Sequence, residues 1–526
     1  MIPRGGRGRI AAGVALASAA VLAFVPAVRS GFIADDYALL TTLGRSKGVG
    51  WVFEHNDLGE AGTSGHFYRP VWVLWNDLLY RIFGASAVAF HVANLLLYAV
   101  IVLEVYVLVR RFAGARSAFI SAAAFAIYPR HGESVAWISG NTDLVAVALA
   151  LAALLCVLAP WRPWVRASAA AALSAAAALA KEIAFVSPLL AALLVVASPG
   201  PRPLKRDRWL AVAAVFAAMI PVAVLRYQIL GGVAGYTAYP WTAKRAAGVS
   251  ASYVVSAVTP PDLPLFREWW FFALPVVLLA AVAWQIARLW RAQAWDRLRL
   301  IALGLAWFVI GLLPILNIAV DLNNANGERL MFLSTVGLAL MLPGLIELRP
   351  SRRRVAAGAG AAIALLGLSL LSAYDWVVAR RLATRVVGSA LTLAPGAGQL
   401  VLLDAPENYR SAHVFTGDLD GPLSRAGRSD LLSSVCSQTF VWRESGGAIS
   451  FDTQSGGSFD GHATWSAPFD VPVLRSSTPL APTCAFARLP GPRRVGLALR
   501  VRVTMTPASG SAVLAYFDGR DLKRCC

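Results

Sequence analysis

The 526-residue chain is 57% hydrophobic and 15% charged, with a mean hydropathy of +0.60; this excludes a soluble globular protein of such length and puts most of the chain in lipid. The formal charge of +19 does not mark a nucleic-acid binder, because Lys and Arg stand in short bursts between long apolar runs, a pattern that reports membrane topology. Five cysteines are too few for a disulfide scaffold: Cys156 lies in an apolar run as a small packing residue, and Cys436 and Cys484 are placed to pair only if their segment faces an oxidising compartment.

Crossing about 30 Å of hydrocarbon at about 1.5 Å per residue takes roughly 20 apolar residues. By that measure about eleven runs read as membrane helices, over residues 10–28, 87–109, 117–128, 144–158, 167–180, 183–197, 209–225, 270–286, 301–320, 331–346 and 355–373. The first run is longer than the roughly 7 to 15 residues of a signal-peptide core, so it is read as a span that stays in place. Arg4, Arg7 and Arg9 precede it, and Arg110, Arg111 and Arg116 follow the second run. Basic bursts then recur on every second connection: Arg162 and Arg166, Lys205 with Arg206 and Arg208, Arg288 with Arg297 and Arg299, and Arg352 to Arg354. The positive-inside rule makes those loops and the N-terminus cytoplasmic, and an odd number of spans puts the C-terminus outside. Residues 1–374 are thus expected to form an all-α polytopic membrane domain. From 375 to 526 the long apolar runs give way to Gly, Ser, Pro and Asp. Short β-rich stretches at 400–403 and 495–505 predict an extracytoplasmic α+β or mostly β domain.

The polar motifs fall almost entirely in the loops predicted to lie outside. The first begins with Asp35 and Asp36 just beyond a span and continues through His55, Asp57, Glu60, His66 and Tyr68-Arg69-Pro70. Carboxylates at a membrane boundary escape most of the insertion cost of about 2.5 to 3.5 kcal/mol at a span centre, and can act as bases or metal ligands; Asp35 equally suits the cap of a helix starting near Tyr37. His91 and Asn94, about one turn apart, read as contacts between helices. The next outer loop runs from Tyr128 through Pro129, Arg130, His131, Glu133 and Trp137 to Asn141-Thr142-Asp143, and further on stand Lys181-Glu182 and Glu328-Arg329. His66 and His131 are either ligands or structural hydrogen-bonders. Glu133 either orients an acceptor or pairs with Arg130 or Lys181. Glu104 and Arg226, near span ends, are expected to snorkel or pair.

In this order the motifs resemble the integral-membrane glycosyltransferases of the GT-C type, in particular bacterial relatives of the protein O-mannosyltransferases and the TMTC proteins. The resemblance runs from about Phe32 to Phe332. It rests on the acidic pair Asp35-Asp36, Tyr68 to Pro70, His91 to Leu96, Pro129 to Ile138, Lys181-Glu182 and Glu328-Arg329. Tyr128 stands where a His is common, Asn141-Thr142-Asp143 where Arg-x-Asp is common, and the tail shows no 34-residue helical repeat of the kind that follows the membrane part of TMTC proteins. Sugar and acceptor are therefore not carried over.

What the resemblance implies is a GT-C-like membrane fold and transfer of a sugar, mannose among the candidates, from a polyprenyl-phosphate carrier to a hydroxyl of an acceptor protein or glycan. Asp35 or Asp36 would be the general base. Arg69, His131, Glu133, Lys181, Glu182, Glu328 and Arg329 would bind the donor phosphate or substrate, with the lipid tail among the spans. The expected site is metal-free, with a divalent cation, Mg or Mn, at Asp35 and Asp36 as the alternative. A transporter or flippase for lipid or sugar would show repeated halves and ionisable groups near the midplane; a non-catalytic envelope polysaccharide assembly protein would use the acids only as caps. Composition and the absence of other targeting signals point to a bacterial inner membrane.

Overall fold

The computed structural model describes residues 6–55, 67–198, 202–232, 242–259, 261, 270–318, 320, 327–346, 352–402, 405–416, 418–435, 440–445, 448–454, 484–488, 498–505, 512–517 and 520–524. The chain forms two compact units, one of residues 1–28, 39–321 and 327–373, the other of residues 29–38 and the chain from Tyr374 onward. Short apolar helices and turns that the hydropathy reading left inside loops join the long ones. In chain order the helices are α1 (Gly6–Phe24), α2 (Asp36–Arg45), α3 (Val49–Glu54), α4 (Pro70–Phe83), α5 (Ala87–Phe112), α6 (Ala115–Ala126) and α7 (Gly132–Ala136). They continue with α8 (Thr142–Leu158), α9 (Pro163–Ala180), α10 (Ser187–Ala197), α11 (Arg202–Leu230), α12 (Ala243–Val258) and α13 (Trp270–Arg291). The last are α14 (Trp295–Leu312), α15 (Phe332–Leu345), α16 (Arg352–Leu393) and α17 (Asp420–Arg425).

Eight of these segments among the described residues are long and apolar enough to cross a membrane: Gly8–Arg29, Ala87–Phe112, Ser139–Leu158, Lys205–Leu230, Ala273–Arg291, Trp295–Ile315, Glu328–Leu345 and Val355–Leu393. The protein is a multi-pass membrane protein. The expected count of about eleven adds three more runs, which fold as the 12-residue α6, the 18-residue alanine-rich α9 and the 11-residue α10. Large apolar side chains stay exposed on the long helices, as in Val276 at 65% and Ile363 at 71%, which is what a lipid-facing surface requires. Proline opens α4, α9 and α10, where the missing N–H is an orphan in any case.

Two devices hold the membrane unit in register around the future site. The first is a close crossing of α14 and α15. Gly304 and Gly337 face each other's backbone, and Gly311 and Gly344, seven residues away along the same stripes, face Ser334 and Arg297. A Cβ at any of the four would run into neighbouring atoms, so the helices approach as only small residues allow. The second is an amide network. Asn141 accepts from Trp72 Nε1 and from Asn76, and donates to Asn76 and to Asn94 Oδ1 at 3.2 and 2.9 Å; Asn94 in turn reaches the Val135 carbonyl. All three Asn side chains are buried, and every bond ties α4 or α5 to the loop between α6 and α8. The expected role of Asn94 as a contact between helices is the one it has.

The second unit contains the strands β1 (Gln399–Leu402), β2 (Asn408–Tyr409), β3 (Ala412–His413), β4 (Leu432–Val435), β5 (Phe440–Ser445), β6 (Ala448–Gln454), β7 (Cys484–Arg488), β8 (Ala498–Met505), β9 (Ala512–Phe517) and β10 (Leu522–Arg524). The stretches read as β-rich fold as β1 and β8. One sheet has the order β10-β9-β1-β4, with β1 parallel to both β4 and β9. A second, fully antiparallel sheet runs β5-β6-β8-β7, and β2 pairs with β3. Cys436 and the side chain of Cys484 lie outside the described residues, as do Asp57, Glu60 and His66.

Candidate active site

The loop between α6 and α8 is not a solvent loop. Two 3-10 turns, Pro129–His131 and Ser139–Asn141, flank α7, and every residue from Pro129 to Thr142 is buried. Its charged groups Arg130 and Glu133 meet the Glu328-Arg329 stretch that precedes α15. Arg130 donates to Glu328 at 3.1 Å, and its other nitrogens hold the Thr259 carbonyl at 2.8 Å and hydroxyl at 3.0 Å. Glu133 receives the backbone N–H groups of Gly327 at 3.4 Å and Arg329 at 2.9 Å and lies 3.6 Å from the Arg329 guanidinium. Gly327 supplies the turn that aims both N–H groups at one carboxylate, with φ at +87°, a region open to glycine at no steric cost. The Arg329 guanidinium rests over the Trp137 ring at 4.4 Å, a cation–π contact.

A second set of pairs surrounds the α9–α10 connection. Lys181 lies 2.5 Å from Asp143 at the start of α8, both side chains 1% exposed or less. Arg69, just before α4, grips Glu182 in bidentate fashion at 2.7 and 3.2 Å, and Arg226 of α11 stands 3.9 Å from the same carboxylate while holding the Tyr68 carbonyl at 3.2 Å. The two sets share one electrostatic neighbourhood. Burial pushes the Lys181 ammonium down to about 8; Arg329 and Arg69 push the same way and Asp143 opposes them. Together the ion pairs join five cations, Arg69, Arg130, Lys181, Arg226 and Arg329, to four carboxylates, which leaves one positive charge in surplus. Arg329 is the most exposed of the five, at 21% of its side chain.

Of the residues picked from the sequence, the membrane unit therefore brings together Arg69, Glu133, Lys181, Glu182, Glu328 and Arg329. Of the two roles weighed for His131, the described contacts are those of a structural hydrogen-bonder. Its ring nitrogens engage the Tyr98 hydroxyl at 2.8 Å and the Thr335 hydroxyl at 2.9 Å, and the rings of Tyr98, Phe125, Tyr128 and Phe332 enclose it at 4.5 to 5.6 Å. Burial lowers its pKa to about 3, which favours the uncharged ring at neutral pH. The ion pairs expected for Glu133 also change. Its partner is Arg329, while Arg130 takes Glu328 and Lys181 takes Asp143. Asp143, noted in the sequence only as a departure from a family pattern, is a member of the cluster. So is Arg226, which pairs with Glu182 across the unit.

Asp35 and Asp36 belong to the second unit. Asp36 is fully buried and its carboxylate accepts the Ile33 N–H at 3.1 Å, closing the turn that precedes α2. Asp35 is half-buried, with its carboxylate on the Thr416 hydroxyl. Arg380 braces the same turn through the Phe32 carbonyl at 3.1 Å and the Tyr37 hydroxyl at 2.8 Å. Two carboxylates, one of them committed to a backbone N–H, supply few of the six or more oxygens a divalent cation takes, and no group of three or more candidate ligands occurs among the described residues.

Residues 69–227 match the family described as dolichyl-phosphate-mannose-protein mannosyltransferase. The expected resemblance to the integral-membrane GT-C glycosyltransferases stands over that stretch, which carries four of the five cations above. Among relatives, the Drosophila melanogaster protein O-mannosyl-transferase Tmtc1 is 30% identical over 197 residues, covering 35% of this chain and 23% of its own length. Drosophila Tmtc2 is 31% identical over 232 residues, 41% of this chain and 25% of its own. The chain thus spans about a quarter of the relatives it matches. The Archaeoglobus fulgidus oligosaccharyltransferase structure aligns at 13% identity with a TM-score of 0.40, over 70% of this chain and 55% of that one.

Proposed function

We propose that the protein is a GT-C glycosyltransferase that moves a sugar from a polyprenyl-phosphate carrier to an acceptor hydroxyl at the outer face of a bacterial inner membrane, with its N-terminus in the cytoplasm. The observation that carries this reading is the convergence of five cations on four carboxylates at the ends of membrane helices, four of the cations and three of the carboxylates within the stretch that matches the mannosyltransferase family. In such a transfer the bond from the sugar's anomeric carbon to the phosphate oxygen breaks and a new bond to the acceptor oxygen forms. The acceptor proton leaves to a base while the departing phosphate gains negative charge. Fixed cations favour that charge in the transition state more than in the ground state.

Arg329 is assigned to the phosphate, because Glu133 and Trp137 fix its orientation while part of its guanidinium stays accessible. Arg69 acts beside it. Lys181, sealed on Asp143, raises the local potential and holds α8 against the α9–α10 turn. The base is proposed from the sequence resemblance alone as Asp35 or Asp36; Asp35 is the more accessible of the two, and Asp36 accepts a backbone N–H in the turn that carries both. An acceptor protein or glycan, and mannose as the sugar, remain part of the proposal.

The test uses the purified full chain in lipid vesicles with radiolabelled mannosyl-phosphoryl-polyprenol and an envelope extract as acceptor. Asp35→Asn should lower transfer at least about a hundredfold with the melting temperature unchanged, whereas Asp36→Asn should lower both. Full transfer by a folded Asp35→Asn variant would remove the base assignment.

A further inference from the structure

The other end of the membrane unit holds a second concentration of charge that the transfer reaction does not use. From Asn94, in the network beside the candidate site, to Arg111 the axis of α5 runs about 26 Å at about 1.5 Å per residue, roughly the thickness of the hydrocarbon layer. There the end of α5, the end of α10, the first turns of α11 and the start of α14 surround a cavity of about 920 Å³. Arg111, Lys205, Arg297 and Arg299 line it, with Asp296 as the acid in the lining. Asp296 is spent on Arg299 at the exposed rim, at 3.5 Å.

Deeper in, the cations are held by neutral groups. Arg297 donates from Nε to the Gly344 carbonyl at 2.9 Å, and one of its remaining nitrogens is buried with no hydrogen-bond partner among the described residues. Arg208 donates to Ser198 of the cavity wall at 2.7 Å and lies within electrostatic reach of Arg111 and Arg166. Arg166, 2% exposed, likewise keeps one buried nitrogen without a partner among the described residues. Burying guanidinium nitrogens without an acceptor, as in Arg297 and Arg166, is costly unless an anion joins them.

The rest of the wall is apolar: Phe112, Leu193, Val196, Leu300 and Leu303. Around it Val196, Trp209 and Leu305 turn outward at 66%, 44% and 53% exposure, as helix surfaces facing acyl chains do. A cationic floor with apolar walls opening beside lipid-facing helices fits an amphiphile better than a free ion. We propose that this cavity binds the phosphate-bearing headgroup of an anionic membrane phospholipid, with the guanidinium groups on the phosphate and the acyl chains along α10 and α14. Basic pockets between membrane helices on the positively flanked side take such headgroups, each basic residue adding about 1 kcal/mol, a factor of about five.

The test is native mass spectrometry of the full chain in detergent, titrated separately with phosphatidylglycerol, phosphatidylcholine and inorganic phosphate. Phosphatidylglycerol adducts should survive collision energies that strip phosphatidylcholine. The double variant R111Q/K205Q, at positions that leave the Arg297 contact with the Gly344 carbonyl and the Arg208 contact with Ser198 intact, should retain phosphatidylglycerol about 25-fold less. R353Q, an exposed position outside the cavity lining, should retain it fully. Equal retention of the two lipids, or unchanged retention by R111Q/K205Q in a chain that elutes as the native protein does, overturns the proposal. Displacement of phosphatidylglycerol by an equal concentration of inorganic phosphate also overturns it, and assigns the cavity to a free anion.

Discussion

The two ends of the membrane unit use the same residue types to opposite effect. At the loop end each cation meets a carboxylate: Arg130 with Glu328, Arg329 with Glu133, Lys181 with Asp143, and Arg69 and Arg226 with Glu182. At the other end Arg297, Arg208 and Arg166 are held by carbonyls and a hydroxyl. Pairing buried charges removes most of the net potential but fixes every group in space, because a buried ion pair tolerates little misplacement. Leaving one nitrogen each of Arg297 and Arg166 without a hydrogen-bond partner among the described residues keeps the potential and the appetite for an anion. The first arrangement suits a site whose geometry must be ready before the substrate arrives; the second suits a site whose ligand completes it.

That contrast is open to attack in descending order of effect. Arg329→Ala should lower sugar transfer about 10² to 10³-fold, the usual loss when one preorganised group aimed at developing charge is removed, while Arg299→Ala at the opposite end should leave the rate within about twofold; equal losses in a transfer assay would erase the distinction. Lys181→Met should destabilise the membrane unit by about 3 to 5 kcal/mol, since Asp143 is then buried alone, and the double variant Lys181→Met with Asp143→Leu should recover most of that in a thermal melt without recovering transfer. Transfer should fall about tenfold between pH 7 and pH 9 as the Lys181 ammonium, at about 8, loses its proton. The unfolded chain holds that proton up to the ordinary lysine range, so it binds more protons than the folded chain across this window and stability there rises with pH. A rate loss that tracked unfolding would therefore have another cause. Smallest of all, Arg299→Gln, at an 81% exposed side chain, should shift stability by about 0.5 kcal/mol or less.

Much of this was written in the sequence. Hydropathy locates the long spans because a membrane helix must satisfy its backbone internally whatever its neighbours are. The motifs around Arg69, Glu133, Lys181 and Arg329 stand out because charges at span ends are conspicuous. Their partners are not legible in the same way. Asp143 opens an apolar helix and stands out in the sequence only as part of Asn141-Thr142-Asp143, until Lys181, 38 residues on, is packed against it. Arg226 resembles any snorkelling residue near a helix end, and only the approach of α11 to the α9–α10 connection gives it Glu182. His131 is the reverse case. A histidine among conspicuous loop charges looks functional, but the four rings that neutralise it come from α5, α6, its own loop and α15, and no local pattern announces that they will meet. The short helices α2, α3, α4 and α12 were hidden in presumed loops because none is long enough to register as a span. Asn76 in the middle of α4 was the available clue, since a lone amide on an apolar helix needs a partner inside the protein.

The glycine crossing of α14 and α15 reaches further than its own contact. With backbone against backbone at Gly304 and Gly337, the two helices have no side-chain cushion between them and shift only as one stiff beam. Arg329 sits in the turn that leads directly into α15, so its tip inherits whatever slack that beam has. A single methyl group at position 337, which meets the Gly304 carbonyl and the Phe308 backbone, should then be felt as a displacement at the Arg329 guanidinium.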